Sequence, residues 1–134
     1  MSISLQLKSS KVVNLVLEEA KDSIEKTEFT LDVGTKFPIE EDAQNFAIEL
    51  RTELQLKEGF IVKIVYLSEF ITDKPISSEF RDSHFPKVNA PAIAFPYFRA
   101  FISTFLLNAG YEPIILPSIN FTKLISRTPQ KEQN

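Results

Sequence analysis

Few side chains in this sequence could do chemistry, and none has the neighbours that chemistry needs. His84 is the only histidine, and there is no cysteine. A histidine works as a general base or metal ligand when a second group orients it. His84 stands beside Asp82 and Ser83 in a proline-containing stretch, and an exposed loop histidine is the simpler reading. Glu40, Glu41 and Asp42 are consecutive acids without the spaced ligands and turn glycine of a calcium loop, so they read as a solvated loop. Glu18-Glu19 reads the same way. Gly34, Gly59 and Gly110 each fit a turn or an element end and are too scattered to cradle a phosphate. Ser103 has no acid or base at a recognisable spacing. The residues thus point away from an enzyme and call for no cofactor and no metal.

The bulk numbers narrow the class further. A chain of 134 residues fits one compact domain, expected over 1–129, with a disordered polar tail at 130–134. The net charge is −3, and the basic residues are scattered, which argues against a nucleic-acid surface. The first ten residues alternate polar and apolar types and do not form a signal peptide. No stretch reads as long and apolar enough to cross a bilayer. Together with the missing cysteines, this gives an expected cytoplasmic location.

Four segments carry the period of a strand. The first joins Ile3, Leu5 and Leu7 to Val13, Leu15 and Leu17, with a bulge or bend at Ser9-Ser10. The second is Phe29, Leu31 and Val33, ended by Gly34. The third sets Phe46, Ile48, Leu50, Leu54 and Leu56 against Glu49, Arg51, Glu53 and Gln55. Glu58-Gly59 then predicts a tight hairpin turn. The fourth, Phe60 to about Ile71, is apolar on both faces, as a central strand would be. A crossover follows over 72–89, pinned by Phe80 and Phe85. A helix is expected from Pro96 to Ala109, with Phe98, Phe101, Ile102 and Phe105 as its apolar stripe. Asn120 caps a short last helix from Phe121. Strands followed by helices predict an α+β domain with an antiparallel sheet.

The 12 phenylalanines are too many for one sheet packed by one helix. Surplus apolar surface means an oligomer interface, a groove for apolar peptides, or both. From another class, a closed apolar pocket would make the chain a small-ligand carrier. A structural oligomer without a client is a third reading.

Specific residues in the C-terminal third favour the groove. Asn89-Ala90-Pro91, Phe95-Pro96-Tyr97-Phe98-Arg99, Asn108-Ala109-Gly110-Tyr111-Glu112-Pro113-Ile114 and Leu116-Pro117-Ser118-Ile119-Asn120-Phe121 occur in that order. This succession resembles the SecB family of export chaperones, and the upstream strands agree with it in order and length. The resemblance implies an ATP-independent holdase that binds unfolded client proteins in long apolar grooves. It also implies a homotetramer, a dimer of dimers in which the long helices pair. By the same resemblance, Phe29, Leu31 and Val33 with Leu124 and Ile125 would line the groove. Phe98, Phe101, Ile102 and Phe105 would serve both the chain's own sheet and a neighbour.

Family members that hand clients to the motor SecA present an acidic face. Here Asn14, Glu18, Ile61 and Lys63 occupy the corresponding docking face. Glu18 keeps an acid, Asn14 loses one, and Lys63 reverses one. These departures leave SecA doubtful as a partner and raise the family's other use, guarding the antitoxin of a toxin–antitoxin pair.

Overall fold

The computed structural model describes residues 3–127, with side chains through Leu124. The expected tail at 130–134 and the side chain of Ile125 lie outside the described residues. The chain forms β1 (Leu5–Glu19), β2 (Glu28–Lys36), β3 (Asn45–Leu56) and β4 (Phe60–Thr72). After these come α1 (Ser78–Arg81), a π-helical turn at Phe85–Asn89, α2 (Ala90–Asn108) and α3 (Phe121–Arg127). The four strands make one antiparallel sheet in the order β1-β4-β3-β2, so the two-sided apolar strand β4 is indeed central. The architecture is the α+β class expected.

The strict alternation of β3 sets the core. Phe46, Ile48, Leu50, Leu54 and Leu56 are buried on one face, level with Phe70, Tyr66 and Val62 of β4. Gly59 closes the hairpin at φ 101°, a conformation that favours glycine, and donates its N–H to the Leu56 carbonyl at 2.9 Å. Helix α2 packs chiefly over β1, β4 and β3 and buries Phe98, Ile102 and Leu106 against them. Aromatic rings fill the layer between. Phe46 stacks on Phe70 at 5.4 Å and meets Phe80 edge-on at 5.6 Å. Tyr66 touches Phe98 at 5.1 Å and Phe101 at 6.1 Å. Such a pair adds about 0.5–1.5 kcal/mol beyond area burial.

Several expectations are corrected. Strand β1 bulges between Leu7 and Ser9 and again between Val12 and Asn14. The second bulge puts Val12, not Val13, on the face of Leu15 and Leu17, because Val12 pairs with Tyr66 and Leu15 with Ile64. Gly34 does not end β2; its backbone stays extended and the strand runs to Lys36 before Phe37-Pro38. The crossover is partly helical: Ser77 caps α1 by accepting from the Phe80 N–H at 3.1 Å, and Phe80 is fully buried.

Helix α2 starts at Ala90, with Pro91 in its first turn, so Pro96 lies inside it. Pro96 forfeits one intrahelical bond. Burial of Ala90, Pro91, Ala94 and Phe95 offsets that loss by docking the preceding turn on the core. The helical stretch Phe85–Asn108, 24 residues, is therefore long and apolar enough to span a membrane by length and composition, contrary to the sequence reading. Here it lies against the sheet.

Candidate functional site

The inward row of β2 is the first element of the site. Phe29, Leu31 and Val33 pair with Leu54, Thr52 and Leu50, and so continue the buried face of β3 outward. All three are half-buried and pack on the core, because α2 lies mainly over the other strands. Each of the other phenylalanines makes a ring contact; Phe29 makes none among the described residues. Leu124 is half-buried against the same core, from α3. That helix packs on the π-helical turn and, through Phe121, on Phe95 at 5.7 Å. Its cap is as expected: Asn120 Oδ1 accepts from the Lys123 N–H at 3.1 Å. The β2 row and Leu124 thus approach one core from different elements.

The helix stripe faces inward. Phe98 and Ile102 are fully buried in the chain's own core, and Phe101 and Phe105 pack against it, stacked at 6.0 Å. Phe101 and Phe105 remain half-buried rather than enclosed. Leu106, also fully buried, joins this stripe four residues after Ile102. A second stripe runs along the outer side: Ile93, Tyr97, Ala100, Thr104 and Leu107 alternate at spacings of four and three. Tyr97 and Leu107 are 57% and 60% exposed. On β1, Val12, Val13, Leu15 and Leu17 are exposed as well. No phenylalanine is among the exposed large apolar residues, so the surplus surface is aliphatic plus one tyrosine.

The sheet's other face is open and charged. Strand pairing aligns Glu18 with Ile61, Val16 with Lys63 and Glu53, and Asn14 with Val65, Arg51 and Asp32. Lys63 Nζ lies 3.7 Å from Glu18 Oε1. Glu49 takes both Arg51 at 2.9 Å and Lys36 at 3.4 Å. A polar saddle of about 300 Å³ between Asn14, Asp32, Arg51, Glu53 and Lys63 opens on this face. His84 is exposed, and no group of metal-ligating residues occurs among the described residues. At the sheet's corner Asp73 Oδ1 accepts from the Ser4 N–H at 2.8 Å, which holds its carboxyl below the usual range.

The family model for SecB, the preprotein translocase subunit, matches residues 6–132. The chain belongs to the SecB family. A SecB protein-export protein of Magnetococcus marinus is 30% identical over 119 residues, covering 83% of this chain and 71% of that protein. An uncharacterized protein of Methanocaldococcus jannaschii is 31% identical over 129 residues, covering 92% of this chain and 83% of that one. Among solved structures, a SecB-like chaperone of Mycobacterium tuberculosis, in complex with a peptide from an antitoxin, superposes with TM-score 0.67. That match covers 86% of this chain and 87% of the other at 10% identity, so it shows a shared SecB-like fold.

Proposed function

We propose that this protein is an ATP-independent holdase, binding extended stretches of unfolded clients along the inward row of β2. The observation that carries the reading is the half-buried row Phe29, Leu31 and Val33 at the margin of the core in a SecB-family chain. Weak apolar contacts repeated along a strand give affinity without sequence specificity, each buried CH₂ contributing about 0.8 kcal/mol. Leu124 and Ile125 extend the groove in this reading, and the working unit is a homotetramer in the cytoplasm. The exposed aliphatic residues of β1 and the outer stripe of α2 support assembly. The hollow on the open face is lined by charged and polar groups, which disfavours a small apolar ligand there.

A dedicated antitoxin is the second client class. The ion pair between Lys63 and Glu18 favours it, since neutralising the open face weakens the hold on a basic motor such as SecA. The test is suppression of aggregation of a reduced, unfolded protein without nucleotide. Leu31→Asp should abolish suppression while far-UV circular dichroism stays unchanged. Full suppression by a folded Leu31→Asp protein would remove the β2 row from the function.

A further inference from the structure

The inward row of β2 has a built end. Its half-buried positions are Phe29, Leu31, Val33 and Thr35. Phe37 continues the alternation two residues on, and its ring tilts against Phe46 at 5.9 Å. The next position in the alternation, Ile39, is 96% exposed, because the strand has ended at Lys36 and Pro38 does not continue it. Phe37 is thus the last ring of the row.

That ring is covered from the crossover. The Arg81 guanidinium lies 4.9 Å from the Phe37 ring centroid, and its Nη2 donates to the Pro38 carbonyl at 3.3 Å. The short helix α1 fixes where Arg81 stands. Phe80, the residue before it, is fully buried, edge-on to Phe46 and stacked on Phe85. The Arg81 N–H donates to the Ser77 carbonyl at 3.0 Å. Glu79 and Asp82 flank α1's end and Glu40, Glu41 and Asp42 follow Ile39, yet Arg81 joins none of the ion pairs among the described residues. Its guanidinium is turned to the ring and the carbonyl instead.

From this geometry we infer that Arg81 is a specificity-determining end stop, which closes the β2 row at Phe37 and limits how many alternate apolar side chains of a client can be buried there. The inference rests on the holdase reading of the row. From Phe29 to Thr35 the row spans about 20 Å. An apolar client side chain reaching further must displace a cation from Phe37. Loss of the ring contact and the hydrogen bond costs about tenfold in affinity. Burying one leucine on the bared ring recovers about as much. The two effects cancel, so a longer apolar run gains nothing while Arg81 stands.

Two peptides test this, one alternating three leucines with threonines and one alternating five, each between terminal glutamines and titrated by fluorescence anisotropy. The native protein should bind both within about threefold of each other. Arg81→Met keeps an unbranched side chain but neither the charge nor the donors. In that variant the five-leucine peptide should bind at least about tenfold more tightly than the three-leucine one. Arg81→Lys keeps a cation and a donor, and should keep the native ratio. Circular dichroism checks the fold of each variant, and Arg81→Gln replaces Arg81→Met if that protein does not fold. A native ratio in the uncharged variant, including an equal loss for both peptides, would make Arg81 a structural strap alone and overturn the inference. Native protein that binds neither peptide and does not suppress aggregation would instead overturn the holdase reading.

Discussion

Converting Lys63 to glutamate and Asn14 to aspartate should turn the open sheet face into a dock for a basic partner. In the native chain Lys63 is about half exposed, 3.7 Å from Glu18, and directly opposite Glu53 across the β3–β4 ladder. An exposed pair of this kind contributes about 0.5 kcal/mol. Lys63→Glu removes it and sets two like-charge contacts in its place, each of similar size. The isolated fold should therefore lose about 1–1.5 kcal/mol at low salt. The same change moves the net charge from −3 to −6, two units from Lys63→Glu and one from Asn14→Asp. Each new contact with a basic surface adds a few tenths to 1 kcal/mol, so binding to SecA should tighten about tenfold. The gain should collapse toward 1 M salt, where the screening length falls to about 3 Å. Titration calorimetry with purified SecA at low and high salt reads both effects. Tight, salt-sensitive binding by the unmodified protein would refute the argument, because it would mean that the Lys63–Glu18 pair does not mask the face.

Two further outcomes follow from the geometry. Tyr97→Asp with Leu107→Asp places charge on the outer stripe of α2 without entering the core, and light scattering should show the proposed tetramer reduced to a smaller species while the fold is kept. An unchanged tetramer mass would move the interface elsewhere. Asp73 has its pKa lowered from the ordinary 3.8, chiefly by the Ser4 N–H, so its contribution is complete above that value and lost as pH falls through the depressed one. Protection of the Ser4 amide against hydrogen exchange should therefore drop in acid, and Asp73→Asn should remove that pH dependence.

Much of this fold was legible because β3 alternates from Phe46 to Leu56, with Thr52 the one polar residue on the inward side, and is followed by a glycine that its turn requires. Asn120 was equally legible, since a cap needs only its own side chain and an amide three residues on. The bulge at Val12 was not: Val12 and Val13 are both apolar, so alternation cannot say which belongs inside, and pairing with Tyr66 decides it. Nor was the start of α2. Local rules place Pro96 at a helix start, and only burial of Ala90, Ala94 and Phe95 by the rest of the chain extends the helix past it. Alternation put Phe29, Leu31 and Val33 on one face of a strand and only the resemblance marked them for a groove, while the free edge became visible only with the strand order.

The phenylalanine excess carries a final lesson about where binding surface comes from. Twelve phenylalanines suggested rings left over for partners, yet each is buried or half-buried, and eleven of them join ring pairs across the layer between sheet and helices. A core so filled by rings resists deformation, because close-packed interiors transmit strain rather than absorb it. That rigidity would suit the proposed holdase, which must hold an unfolded chain without being remodelled by it. The surfaces left outside differ in kind: aliphatic stripes lie on β1 and α2, and the edge of β2 is unbroken by bulge or proline. Phe29, which alone among the phenylalanines has no ring partner among the described residues, sits on that edge. Its position ties the core to the place where a client would lie.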